Sequence, residues 1–238
     1  MPTSGESAAH DNRHADAWLA LGLAFIGGYG DASSFVLAKT FTGHVTGNLV
    51  LMAISIAARD GRATLEHILA IVTFLIGVSL SVLIARPLKA WTSWPIISSV
   101  MGIEVILIVG ATWALASRNG AKFEIFVVCV SLALGLQNGA FRRAGGISVH
   151  TTYLTGMITS FITTQTGNLT SPAGPQRARP PDPKIALLLS LWTTFVLGAG
   201  IGAAISYHFK AFGMLGAALV LIILILCNPK GSPNGQRI

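Results

Sequence analysis

Residues 27–51, GGYGDASSFVLAKTFTGHVTGNLVL, are too apolar for an ordinary loop and too broken for one smooth transmembrane helix. Glycines interrupt the stretch, and Asp31, Lys39, His44 and several hydroxyls lie within it. Polar, glycine-rich backbone at membrane depth is tolerated only where it packs inside protein or lines a wet cavity. A second stretch of the same design runs from Gly135 to Gly156, GLQNGAFRRAGGISVHTTYLTG. Two interrupted segments at matching places in two halves point to the binding site of a transporter.

Composition fixes the broad class. The chain is 52% hydrophobic and 11% charged, with mean hydropathy +0.67, whereas a soluble domain carries about 25% charged residues. Several apolar runs approach the roughly 20 residues that cross a bilayer. The expected fold is all-α: a polytopic helical membrane protein with two homologous halves and six to eight membrane segments, two of them short or interrupted. The net charge of +7 is spread over short connections, as topology-setting loops require. No basic cluster interleaves with aromatics, so nucleic acid is not an expected partner. Cys129 and Cys227 sit inside apolar runs without metal-ligand spacing, and neither a metal nor a cofactor is expected.

Residues 1–16 read as a polar tail, residues 17–116 as the first transmembrane repeat, 123–227 as the second, and 228–238 as a polar tail. In the first repeat an apolar run from Ala17 can continue to Ala38, carrying Asp31 into the membrane. Val45 to Ala58 is short for a span, and Leu65 to Ala85 is a clean one. A helix opening at Pro95 runs to Ala116 with Glu104 near its middle. The second repeat follows the same plan, with a proline-rich loop from Gly167 to Lys184. Asp31 falls on Asn138 and Gly28 on Gly135, both 107 residues apart (31 to 138, 28 to 135), and His44 and His150 come at nearly the same place. If both short pieces cross, the halves are parallel; if both re-enter, they are inverted. The Lys and Arg distribution places both termini on the cytoplasmic side in either case.

Gly30-Asp31-Ala32, Phe41 and Thr42-Gly43-His44-Val45-Thr46-Gly47-Asn48 in half one accompany Ala133 to Ala140, Arg142-Arg143 and Thr151-Thr152-Tyr153-Leu154-Thr155-Gly156 in half two. Together these motifs resemble the bacterial YoaK-like membrane proteins, a domain of unknown function, over nearly the whole chain. The resemblance implies a bacterial inner-membrane protein of six or more spans and supplies neither a substrate nor a catalytic residue. Half two departs from symmetry: Met157 stands after Thr155-Gly156, where half one has Asn48.

Asp31 is the sharpest functional candidate, because an acidic group at helix depth costs about 2.5–3.5 kcal/mol on insertion scales and faces a partner or a cavity. It can bind a cation or exchange a proton; its structural alternative is a helix cap or a pair with Lys39. Thr42, Thr46, Asn48, Thr151, Thr152 and Thr155 offer hydroxyls and amides beside glycines, suited to ligand coordination or to close helix packing. His44 and His150 can relay protons or bond backbone at a span boundary. Asn138 supplies an amide where half one has a carboxylate, and Glu104 is a second titrating candidate. These residues are expected to bind a small solute or ion where the two broken segments meet near the midplane.

The function expected is a secondary transporter or channel, in contact with lipid and with homo-oligomerisation left open. A non-transporting scaffold or sensor is the alternative. No His-Glu-x-x-His or Ser/His/Asp set argues for an enzyme.

Overall fold

The computed structural model describes residues 4–91, 96–117, 122–141, 143–144, 147–148, 158–159, 162–163, 166–167 and 183–227. The helices are α1 (Ser4–Ala38), α2 (Val45–Ala57), α3 (Gly61–Trp91), α4 (Ile96–Ala116), α5 (Lys122–Ala140), α6 (Pro183–Phe209) and α7 (Leu215–Cys227). A 3-10 turn, Lys210–Met214, joins α6 to α7. Two-residue strands, Arg143–Ala144 and Ile147–Ser148, pair antiparallel after α5. Residues 4–16, expected as a tail, are helical and continue into α1.

Local chemistry sets the breaks. At the end of α1, Lys39 takes a left-handed backbone (φ 56), the conformation that commonly closes a helix. Arg59 (φ 57) does the same after α2. Asp60 then opens α3 by accepting the Ala63 N–H at 3.0 Å on its carboxylate, as an N-cap aspartate does. Ser55 and Thr64 share a hydrogen bond of 2.9 Å across this turn, tying α2 to α3 as a hairpin.

Backbone lies on backbone at two crossings. A Cβ added to Gly28 would collide with the Phe195 carbonyl on α6, and one on Gly198 with the Phe25 carbonyl on α1. Between α3 and α5 the same contact recurs: Gly135 faces the Phe74 carbonyl and Gly77 faces that of Leu132. Phe25 and Gly28 map onto Leu132 and Gly135 with the 107-residue offset, while Phe74 and Gly77 map onto Phe195 and Gly198 with an offset of 121 (74 to 195, 77 to 198). The two crossings are therefore one arrangement built twice. Each pairs the first long helix of one half with the second long helix of the other. Small residues permit such approach in a bilayer, where van der Waals packing replaces the hydrophobic drive between helices.

The register of these contacts settles the direction of each helix. Gly198 meets Phe25 and Gly202 meets Tyr29 and Ser33, so α1 and α6 run the same way. Gly77 meets Leu132 and Gly139 meets Val78 and Ser81, so α3 and α5 also run together. Arg62 near the start of α3 reaches Glu124 near the start of α5 at 3.8 Å and covers the Phe123 ring. By contrast, Gln137 donates to the Leu23 carbonyl at 3.1 Å while Leu134 lies against Gly30, so α1 and α5 are antiparallel. Leu224 against Gly22, with the Tyr29 hydroxyl at Gly213 and Gly216, makes α7 antiparallel to α1.

α1 and α3 thus point in opposite directions, and α2 between them adds no crossing. Its 13 residues cover only about 20 Å against a hydrocarbon thickness of about 30 Å. The 42-residue apolar stretch Ala186–Cys227 reverses at the 3-10 turn. It supplies two passes, the second formed by that turn with α7. The described residues accordingly make six passes, through α1, α3, α4, α5, α6 and α7, and the halves are inverted. Of the windows long and apolar enough to cross, those in α1 and α5 are 67% buried, against 33% in α3. The two helices that carry Asp31 and Asn138 therefore stand at the centre. Leu65, Ile68, Val72, Leu75, Leu83, Leu219, Ile222 and Leu226 turn outward, as a lipid-facing surface requires.

Candidate functional site

The loop at 39–44 folds back against α1 instead of leaving it. Asp31 Oδ1 accepts the backbone N–H groups of Thr42 (2.9 Å) and Gly43 (2.6 Å), and Oδ2 faces His44 Nδ1. Thr42 Oγ1 donates to Ser34 Oγ at 3.1 Å, one turn along the same helix. Asn48, in the first turn of α2, holds the loop from the other side. Its Nδ2 donates to the Phe41 carbonyl at 2.6 Å and its Oδ1 accepts the Phe41 N–H at 3.1 Å. Thr40 reaches His67 Nδ1 on α3 at 3.3 Å. Asp31, Thr40, Thr42 and Asn48 are all buried. The broken segment is a closed hydrogen-bonded structure, as backbone away from water must be.

Asp31, Thr42, His44 and Asn48 come together, and Asp31 pairs with His44 instead of Lys39, whose ammonium lies 5.8 Å over the Phe35 ring. Thr46 is exposed on α2. The His44 ring is set edge-on to Phe195 of α6, centroids 5.9 Å apart, so the loop of the first half touches the second half directly.

One expectation is corrected. The α1–α5 crossing lies between Leu23 and Gly30 on α1 and between Leu134 and Gln137 on α5. Asp31 and Asn138 each lie beyond it toward the C-terminal end of their own helix. Because the helices are antiparallel, those ends are on opposite sides of the crossing, and the two polar residues flank the centre instead of meeting there. Asn138 is buried and donates to the Leu134 carbonyl at 2.9 Å. His150, Thr151, Thr152 and Thr155 lie outside the described residues.

Glu104 stands apart. It is fully buried on the face of α4 that also carries Val100, Met101, Ile108 and Ala111, and neither carboxyl oxygen has a hydrogen-bond partner among the described residues. Among those residues no group of three His, Cys, Asp or Glu side chains is placed to hold a metal. Ser34, His67 and Phe195 escaped the sequence reading. Ser34, three residues past Asp31, carries a helix-spacing signal; His67 and Phe195 carry none, since only tertiary packing brings them to the loop.

A family described as "Protein of unknown function (DUF1275)" matches residues 19–227 of the chain. The UPF0700 transmembrane protein YoaK of Bacillus subtilis (strain 168) is 22% identical over 202 residues, covering 84% of this chain and 88% of that protein. No solved structure matches the chain.

Proposed function

The chain belongs to the DUF1275 family of proteins of unknown function, and from that starting point we propose that it is a secondary transporter or channel for a small solute, with its polar site at the interface of the two repeats. The observation that carries the reading is the broken α1–α2 segment, gripped by Asp31 of one repeat and pressed against Phe195 of the other. It sits in a pair of inverted halves, the architecture in which interrupted helices bind solute and rocking of one bundle against another exposes it to each side in turn. Asp31, Thr42, His44 and Asn48 form the site in the first repeat. Asn138 is its uncharged counterpart across the centre, and Glu104 is a second titrating group. The setting proposed is a bacterial inner membrane with both termini in the cytoplasm, and no enzymatic step is assigned.

The full chain in lipid vesicles, loaded with a pH-sensitive dye and challenged with a panel of sugars, amino acids, carboxylates and inorganic ions, should give solute-dependent pH change or current. Asp31→Asn should abolish that flux while the protein remains in the membrane. Undiminished flux in this variant removes Asp31 from the mechanism. Silence across the panel favours a non-transporting scaffold, a reading that the complete hydrogen bonding of Asp31 inside the protein also supports.

A further inference from the structure

Resting on that reading, we propose that His44 Nε2 is the proton-exchanging atom of the site and that Asp31 is the residue that positions it. The carboxylate itself has little to offer a solute: Oδ1 is taken by two backbone N–H groups and Oδ2 by the imidazole. An ionised carboxylate only accepts hydrogen bonds, so Nδ1 carries the hydrogen and the lone pair of the neutral ring is on Nε2. The accessible member of the pair is the histidine. Its side chain is 32% exposed, against 5% for Asp31.

The ring is fixed from two sides. Phe41 of the loop stands 5.8 Å away and Phe195 of α6 stands 5.9 Å away, both centroid to centroid. A proton from water at the exposed ring edge binds Nε2 and gives an imidazolium whose charge faces Asp31. Its return to water leaves the neutral ring with the same Nδ1–H bond. Both states keep the loop in place, so the ring can load and unload without remaking its surroundings. A carboxylate that sets the tautomer while the far nitrogen exchanges protons is the arrangement by which histidine acts as acid and base.

Among the described residues few other charges bear on the ring. α1 contributes Asp31, the ammonium of Lys39 in the loop is turned to Phe35, α2 has no ionisable side chain between Val45 and Ala57, and α6 meets the ring through Phe195. Among the described residues the proton load of this site is therefore that of one imidazole.

The test is 15N NMR of the full chain in lipid nanodiscs with all six histidines labelled, the His44 signals being those lost in His44→Gln. Asp31 holds the imidazolium and moves its titration above the ordinary imidazole range, so between about pH 5 and pH 9 Nε2 should pass from protonated to unprotonated while Nδ1 keeps its hydrogen throughout. Asp31→Asn should scramble the neutral ring into both tautomers. A ring that stays neutral over the whole range, or a neutral form with its hydrogen on Nε2, overturns the assignment. The measurement needs no solute and the wild-type spectrum alone decides it, so it stands or falls separately from the vesicle screen.

Discussion

At the α1–α6 crossing Gly28 faces the Phe195 carbonyl and Gly198 faces that of Phe25; at the α3–α5 crossing Gly135 and Gly77 stand in the same relation to Phe74 and Leu132. Further along the same two central helices a carboxylate in one half stands where the other half has an amide. Asp31 fastens a loop through two N–H groups and an imidazole, while Asn138 in the matching position donates to the carbonyl of Leu134 in its own helix. Symmetry is kept where backbones touch and departed from where charge is carried. Contact between helix backbones has one steric solution, a glycine, and both halves must adopt it. A buried charge is costly unless it is paired and hydrogen-bonded, and the amide of Asn138 spares the matching position of the second half that requirement.

The strongest way to break the comparison is to fill the crossings. Gly28→Leu and Gly135→Leu should each remove most of the protein from the monodisperse peak on gel filtration in detergent. Ordinary overpacking costs about 1–3 kcal/mol, and here the obstacle is a carbonyl that cannot move aside. If one variant is tolerated, the two crossings are not equivalent. Next in size is the contrast between the polar ends. Asp31→Ala strands two buried N–H groups at about 1–3 kcal/mol each, whereas Asn138→Ala removes the neutral hydrogen bond to the Leu134 carbonyl, worth about 1 kcal/mol. Thermal unfolding followed by intrinsic fluorescence should rank them in that order, and equal losses would erase the asymmetry.

Asn48→Ala sharpens the same point, since it frees the Phe41 backbone on both sides and leaves Asp31 in place. A loss of about 1–3 kcal/mol is expected, with the His44 tautomer unchanged in the NMR spectrum. A scrambled tautomer would mean that Asn48, and not Asp31, orients the ring. The smallest effect is expected at the glycines that touch nothing. Among the described residues no atom lies within 4 Å of an added Cβ at Gly102 or Gly110, so alanine there should stabilise by about 0.5–1 kcal/mol through helix propensity. A destabilised Gly102→Ala would show that α4 has a close neighbour at that face in the bilayer.

Much of this was legible from residue types and spacing. The apolar windows marked the long helices, and Val45 to Ala58 was recognisably short for a span. The 107-residue offset located the equivalent positions before any contact was known. Other features were not legible. Residues 4–16 are polar without being a tail outside the helix, because nothing between Ser4 and Ala38 stops α1; a helical pattern without a breaker has no readable start. Whether α2 crosses was undecidable, since the distribution of Lys and Arg fits both parities equally.

Residue order alone determined that this chain is a bilayer protein of two related halves with a polar break after the first helix of each. Hydropathy and glycine placement are local properties and need no partner to be read. Tertiary structure decided that the halves are inverted, that Asp31 and Asn138 lie on opposite sides of the centre, and that His44 is the exposed member of the pair. Direction and exposure depend on which residues of distant helices touch. Gln137 on Leu23 and Phe195 on His44 are contacts across 114 and 151 positions (23 to 137, 44 to 195) that no local pattern encodes.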